Sequence, residues 1–382
     1  MQFTFTEEQR MIRDAVAALL AEQSASTQVR VAMASATGTD DALWQALAVD
    51  MQACAVLVPE RFGGLGAGFV EAALVGEQLG RHVACVPYHA TVGLAASTLL
   101  ACADDAQQAA WLSGIAAGTT IASVAGLAYA ERKCTDGARF RLHGDGYLLS
   151  GRFAAVPHAH VANLMLVVAH DETGETALFA LPAESPGLSA RPIPTMDQTR
   201  AQAEVLLSDV AVPASARLTR LDDTTLTTAR DCATVLIAAE LLGVADASLA
   251  MAVDYTGERR QFGRAIASYQ AIKHRAADML LKAELARSAV YYAACVANEA
   301  LFGRDEAARK VARELPQAAS LAKAYAGEAA FYNAGSALQL FGGVGFTWEY
   351  DVHLYFKRAQ GCSHFLGSPA LHRERVARAL LD

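Results

Sequence analysis

RRQFG (Arg259–Gly263) and QLFGGVGF (Gln339–Phe346) interrupt two long apolar runs that otherwise read as helices. Each break leaves glycine backbone open beside Arg or Gln donors. Exposed amides and a guanidinium are suited to charged oxygens, such as those of a pyrophosphate, or to a ribose. Taken singly, either stretch reads as a turn between helices with Arg259 on the surface. Taken as a pair, they ask for more than packing.

The chain around them is helical from about residue 224 to the end. TARDCATVLIAAELLGVADASLAMAVDYTGERR and YQAIKHRAADMLLKAELARSAVYYAACVANEALF are longer than ordinary globular helices. No charge-flanked heptad runs through them, so a packed bundle is expected. Its apolar faces predict further burial in an oligomer. Residues 120–222 have a different texture. FRLHGDGYLLSGRF alternates around His143-Gly144-Asp145-Gly146, a hairpin signal, and NLMLVVAH, TALFALP and AEVLLSDVAVP follow as short β-rich runs. They predict a small antiparallel barrel or sandwich. Before residue 118 the pattern is helical again. In FTEEQRMIRDAVAALLAEQ, Phe5, Met11, Ile12, Val16 and Leu19 fall near helical spacing after a Thr6 N-cap. LVPERFGGLGAG is a loop, and without a following Lys-Ser/Thr it is a backbone turn, not a phosphate loop. The fold class is therefore α+β: an N-terminal helical domain (1–118), a middle β domain (119–222) and a C-terminal helical bundle (223–382).

Composition narrows the function. The 382 residues are 53% hydrophobic and 19% charged, with a net charge of −8, which gives no electrostatic reason to expect nucleic acid. No uninterrupted apolar run is expected to cross a bilayer, and MQFTFTEEQRM lacks the basic start and apolar core of an export signal, so a cytoplasmic protein is expected. The seven cysteines (54, 85, 102, 134, 232, 295 and 362) include no CxxC pair and read as reduced thiols without a metal. Cys362 is the one expected to face a pocket.

Joined with Gln270 and Ala277-Asp278-Met279 after the first motif, and with VPERFGGLGAG and EAALVGEQLGR near the start, the two motifs resemble the acyl-CoA dehydrogenase family over essentially the whole chain. The resemblance implies FAD chemistry on acyl-CoA thioesters, in which a carboxylate takes the α-proton while the β-hydrogen leaves as hydride to the flavin. It implies that Arg259, Gln261 and Phe262 lie along the pyrophosphate and flavin edge of a neighbouring subunit's FAD. Gln339, Gly342 and Gly343 then take its adenosine end. A tetramer and an electron-transfer flavoprotein as acceptor are implied too.

The sequence departs from that family where the chemistry is done. The usual base is the Glu of a Tyr-Glu-Gly-Thr loop, which falls here on Phe365-Leu366-Gly367-Ser368, so the base position is Leu366. The alternative base position, on the helix before the Arg259 arm, is Ala233, followed by Thr234. Glu240 is the nearest carboxylate on that helix, roughly 10 Å further along, and is expected in an ion pair or buried contact. His364, His372 and Glu374 are expected at the surface or capping a helix. Under the flavin, SVAGLAYAERKCTDG and AAVPHAH replace the family's usual runs, leaving Ala155 and Pro157 at the Trp and Thr positions. Together with GFTWEYDVHLYFKRA and LHRERVA, these losses resemble the base-lacking subunits of heteromeric actinobacterial steroid acyl-CoA dehydrogenases. Ala154, Ala155 and Leu366 then leave room for a bulky acyl group. Three roles are open at this point: partner subunit of a base-bearing homologue, self-sufficient homotetramer with a relocated base, or non-enzymatic binder of CoA thioesters.

Overall fold

The computed structural model describes residues 5–127 and 137–381. Helices α1 (Glu7–Gln23), α2 (Ser26–Ala34), α3 (Asp41–Gln45), α4 (Phe69–Arg81), α5 (Ser97–Cys102) and α6 (Asp105–Ala116) come first. Strands β1 (Ala122–Ala125), β2 (Gly137–His143), β3 (Gly146–Pro157), β4 (Leu164–His170), β5 (Thr176–Pro182), β6 (Leu188–Ile193) and β7 (Gln202–Pro213) follow. The rest is helical apart from one small hairpin: α7 (Asp223–Glu258), β8 (Arg260–Gln261), β9 (Arg264–Ala265), α8 (Gln270–Phe302), α9 (Glu306–Ala312), α10 (Leu315–Phe341), α11 (Val352–His364) and α12 (Pro369–Leu381). Helices, strands and helices thus follow the three textures of the sequence. Local chemistry sets several boundaries. Thr6 and Gln9 exchange side-chain and backbone bonds as a capping box at the start of α1, and Asp104 and Gln107 do the same for α6.

Contacts divide the chain into two compact units. One comprises Met1–Val31, Ala73–Ala84 and Thr234–Asp382, and the other Ala32–Ala72 and Cys85–Ala233. The second unit carries a seven-stranded sheet of order β1-β4-β2-β3-β7-β6, with β5 also on β4. The expected hairpin is there, His143 facing Gly146 across β2 and β3 with Gly144 at φ 56°. The sheet is mixed, however, where the short runs suggested antiparallel pairing alone. β1 and β2 both pair with β4 in parallel. The reason is visible in β4, where LMLVVA is buried at every position and does not alternate. A strand covered on both faces suits parallel neighbours. Phe140, Tyr147 and Phe179 meet edge-on in the sheet's core, with centroids 5.2–5.7 Å apart.

In the helical unit α10 is built from small residues, and Ala, Gly and Ser make up most of its buried positions. α4 and α7 come closer than side chains permit. A Cβ on Gly80 would lie 1.9 Å from Glu240 O, and one on Gly243 would lie 1.9 Å from Glu77 O. Beside this crossing, Arg287 of α8 holds Glu77 at 2.7 Å and also Asp246, and the Tyr291 hydroxyl donates to Glu77. One expectation needs correction. α7 is by length and composition apolar enough for a membrane span, although no such run was expected. Yet most of its apolar stretch is buried within the protein. A helix that is apolar all round belongs in a core. Cys54, Cys85, Cys102, Cys232, Cys295 and Cys362 are free thiols, and Cys134 lies outside the described residues. Burial pushes Cys102 up to about 12, so that thiol stays protonated and inert.

Candidate functional site

Arg259–Gly263 and Gln339–Phe346 end up side by side. Tyr255, one turn before Arg259, stacks on Phe341 at 4.0 Å and 13°, and its hydroxyl lies 3.4 Å from Phe341 O. Tyr350 meets both rings edge-on. Arg259 N donates to Tyr255 O, and Ile266 N returns to Arg259 O, so the arm is a β8–β9 hairpin growing from the end of α7. Its tip is Phe262 at φ 53° and Gly263 at φ 80°, a primed turn whose first residue pays for a left-handed backbone without being glycine.

All six predicted cofactor contacts lie open to solvent. Arg259, Gln261, Gln339, Gly342 and Gly343 are exposed, and Phe262 is 91% exposed, an unusual position for a ring that size. A Cβ on Gly342 or Gly343 would meet nothing within 4 Å, and Gly343 has no left-handed backbone to explain it. Nothing in this chain's own packing requires glycine at 343. Guanidinium, amide donors and bare backbone, presented outward together, suit the phosphates and ribose of a dinucleotide.

The inward positions are different. FLGSP is the turn between α11 and α12. Leu366 is 4% exposed at φ 59° and presents no proton acceptor. Ala233 is fully buried, and its carbonyl lies 3.1 Å from Nε2 of the buried His89. Glu240 is not free for proton transfer. Its carboxylate is bonded by Arg358, whose guanidinium also donates to Val83 O at 3.3 Å and Ala84 O at 3.1 Å. Cys362, expected to face a pocket, is buried with its Sγ 3.9 Å from Glu240 Oε1. His364 is exposed and bonds Gln360 O and the Ser363 hydroxyl at 3.1 Å, a capping role. Glu374 pairs with Arg378 on the surface. His372 departs from expectation, being fully buried between Ser320 and Leu366 O. The spacing could not reveal this, because its partners lie on another helix and in a loop.

On β3, Ala155 offers no ring to stack and Pro157 no hydroxyl or N–H. The Pro157 carbonyl is already taken by the Ser123 hydroxyl at 2.6 Å. Most of the run expected beneath the flavin, residues 128–136, lies outside the described residues. The residues present therefore fit FAD on the outward side and lack the family's usual flavin contacts at these two inner positions. Sequence reasoning missed three buried groups: His89, Arg358 and Lys323. A lone cation in the small-residue run LPQAASLAKAYAGEAAF was the available signal for Lys323.

Comparison with known proteins agrees with this geometry. Residues 6–119 match the acyl-CoA dehydrogenase N-terminal domain and residues 226–381 the C-terminal domain of the same family. The chain is 32% identical over 373 residues to acyl-CoA dehydrogenase IpdE2 of Mycolicibacterium smegmatis, covering 98% of each. Among solved structures it resembles the ChsE4-ChsE5 complex from Mycobacterium tuberculosis with a TM-score of 0.88 and 27% identity, covering 100% of this chain and 99% of that one. The Tcur3481-Tcur3483 steroid ACAD gives a TM-score of 0.83 at 27% identity, with 98% of each chain covered. The chain therefore belongs to the acyl-CoA dehydrogenase family, whose chemistry is the FAD-dependent oxidation of acyl-CoA thioesters.

Proposed function

We propose that this chain is the base-lacking subunit of a heteromeric acyl-CoA dehydrogenase and completes the FAD site of a base-bearing homologue. The observation that carries this reading is the pairing of Leu366, buried at the position the family resemblance gives the base, with an exposed surface around Arg259 and Gly342. A chain that had merely lost function would have no reason to keep a bare Gly343 and a 91% exposed Phe262.

FAD supplies the hydride acceptor of the reaction. In this reading the chain's own residues bind and shield it. Arg259 and Gln261 hold pyrophosphate oxygens through charge-assisted and amide hydrogen bonds. Phe262 covers the flavin edge and excludes water there. Gln339 and the open amides at Gly342 and Gly343 take the adenosine end. The α-proton is removed by the homologue's carboxylate, because Leu366 and Ala233 cannot accept it and Glu240 is neutralised by Arg358. The self-sufficient reading loses its best base through that ion pair. The relatives' names, together with Ala154, Ala155 and Leu366 here, favour a bulky, ring-bearing acyl-CoA, with an electron-transfer flavoprotein as acceptor.

The test is flavin absorbance and dehydrogenase activity for the purified chain alone and for the chain co-expressed with a base-bearing homologue. The expected result is substoichiometric FAD and negligible turnover alone, with both restored in the complex. Full flavin occupancy and turnover by the isolated chain would overturn the proposal.

A further inference from the structure

Lys323 sits fully buried in the middle of α10. Its Nζ lies 2.8 Å from Ser363 O and 2.9 Å from Gly367 O, and it has no carboxylate partner among the described residues. From α12, the fully buried His372 places Nε2 3.0 Å from Leu366 O and Nδ1 3.2 Å from the Ser320 hydroxyl. Two side chains from two helices thus engage two carbonyls of one short turn, at Leu366 and Gly367, and a third at the end of α11, at Ser363. The turn needs holding. Leu366 lies in the left-handed region that disfavours every residue but glycine. Gly367 follows at φ 110°, where a Cβ would come within 2.8 Å of His372 Nε2.

We propose that Lys323 and His372 are positioning residues for the turn at the base position. By holding its carbonyls they keep Leu366 buried, and the turn opens only when the Lys323 amine is carried into water. The proposal rests on the family reading of this turn, but its test observes the turn in the isolated chain. A failed heteromer and a failed clamp are therefore distinguishable.

Donor counting specifies the protonation state. A neutral amine has two N–H groups for two carbonyls, whereas an ammonium would bury a third N–H without an acceptor. Burial accordingly lowers Lys323 to about 7, with nearby Cys362 acting the other way. The titratable groups around the amine are Cys362 on α11 and His372 on α12. The buried residues of α8, which packs against α10, are apolar from Met279 to Ala297. Glu240 and Arg358, beyond Cys362, neutralise each other.

Hydrogen exchange of peptides covering residues 363–372 tests the clamp, with α8 peptides as reference. Above pH 7 the closed turn holds a neutral amine while the open turn binds a proton, so the open population falls about tenfold per pH unit. Base-catalysed exchange speeds up in proportion to hydroxide. The two trends cancel, and the wild-type turn is expected to exchange at a nearly constant rate from pH 7 to about pH 9. Lys323→Met is expected to exchange about tenfold faster at neutral pH, having orphaned two carbonyls, and to regain the ordinary rise with hydroxide. Lys323→Arg is expected not to restore the flat profile, because a guanidinium keeps its proton. A wild-type turn whose exchange rises with hydroxide overturns the proposal even if the variants fail to fold, and so does wild-type protection in Lys323→Met.

Discussion

Arg358→Met is the most informative single change in the helical unit. The side chains of Arg358 and Glu240 are 2% and 6% exposed, so water does not screen the pair. Removing the guanidinium strands a buried carboxylate, which costs about 3–5 kcal/mol. It also removes a donor from Val83 O and Ala84 O, each worth up to about 1–3 kcal/mol if no relaxation follows. A loss of at least roughly 3–5 kcal/mol is thus expected, a large share of the ~5–15 kcal/mol that holds a folded protein together. Glu240→Leu with Arg358→Met removes both charges together and is expected to recover about 2–4 kcal/mol of that loss, because replacing both partners by apolar groups is often neutral. Urea denaturation of wild type, both single variants and the double variant, read as midpoint shifts at constant slope, measures the coupling. A loss below about 1 kcal/mol for Arg358→Met, or a double variant equal to the sum of the singles, would refute the reasoning. Glu240→Gln in the assembled enzyme separates structure from chemistry. Turnover per folded heteromer is expected to be unchanged, and its collapse would return Glu240 to the list of bases.

Four further outcomes follow from the same geometry. Gly243→Ala drives a Cβ into Glu77 O, where neither backbone can yield, and is expected to cost about 3 kcal/mol or more and lower the melting temperature accordingly. Phe262→Ala is expected to leave the isolated chain within about 0.5 kcal/mol of wild type while reducing flavin retained by the heteromer; equal retention would remove Phe262 from the cofactor surface. Leu366→Glu restores a carboxylate but not the missing contacts at Ala155 and Pro157, so the isolated chain is expected to stay inactive, and turnover there would show that the base alone was lacking. Lys323 makes stability pH-dependent. Its folded value of about 7 lies below its unfolded value of 10.5, so the unfolded chain binds the extra proton between them. The pH-dependent part of its contribution is complete above 10.5, falls by about 1.4 kcal/mol per unit as pH drops and levels off below 7, leaving the two carbonyl bonds to act at neutral pH. The stability difference between wild type and Lys323→Met is therefore expected to grow from pH 7 to pH 9, and a constant difference would mean that Lys323 titrates normally.

What could be read from the sequence was local or repeated. Alternation around Gly144 pointed to the hairpin and the Thr6 cap to the start of α1, while the two glycine-bearing arms stood out only as a pair, since either one alone reads as a turn between helices. What could not be read depends on partners distant along the chain. Glu240 and Arg358 are 118 residues apart, and no periodicity joins them. The parallel pairing of β4 follows from its being covered on both faces, which a short apolar run does not distinguish from half-burial. His372 looked like a surface residue because its helix is amphipathic and mostly exposed; only the α10 packing reveals that it points inward.

The contrast between these two classes of residue bears on function. In the helical unit the inward-pointing polar groups at and around the base position have their bonding capacity taken up at home: Arg358 by Glu240 and two carbonyls, Lys323 by two carbonyls, His372 by Ser320 and Leu366 O. The outward groups of Arg259, Gln261 and Gln339 stand exposed, and the neighbouring Gly343 has neither a left-handed backbone nor a close contact that would call for glycine. An enzyme with its own active site concentrates uncommitted polar chemistry inward, because desolvation strengthens it there. A chain that commits the interior and leaves its exterior uncommitted places that chemistry where another subunit can use it. Replacing Arg259 by Met would separate the two halves of this argument: the isolated chain should melt as wild type, and only the assembled enzyme should lose flavin. Loss of stability in the isolated chain would mean that the arm serves this fold and not a partner's cofactor.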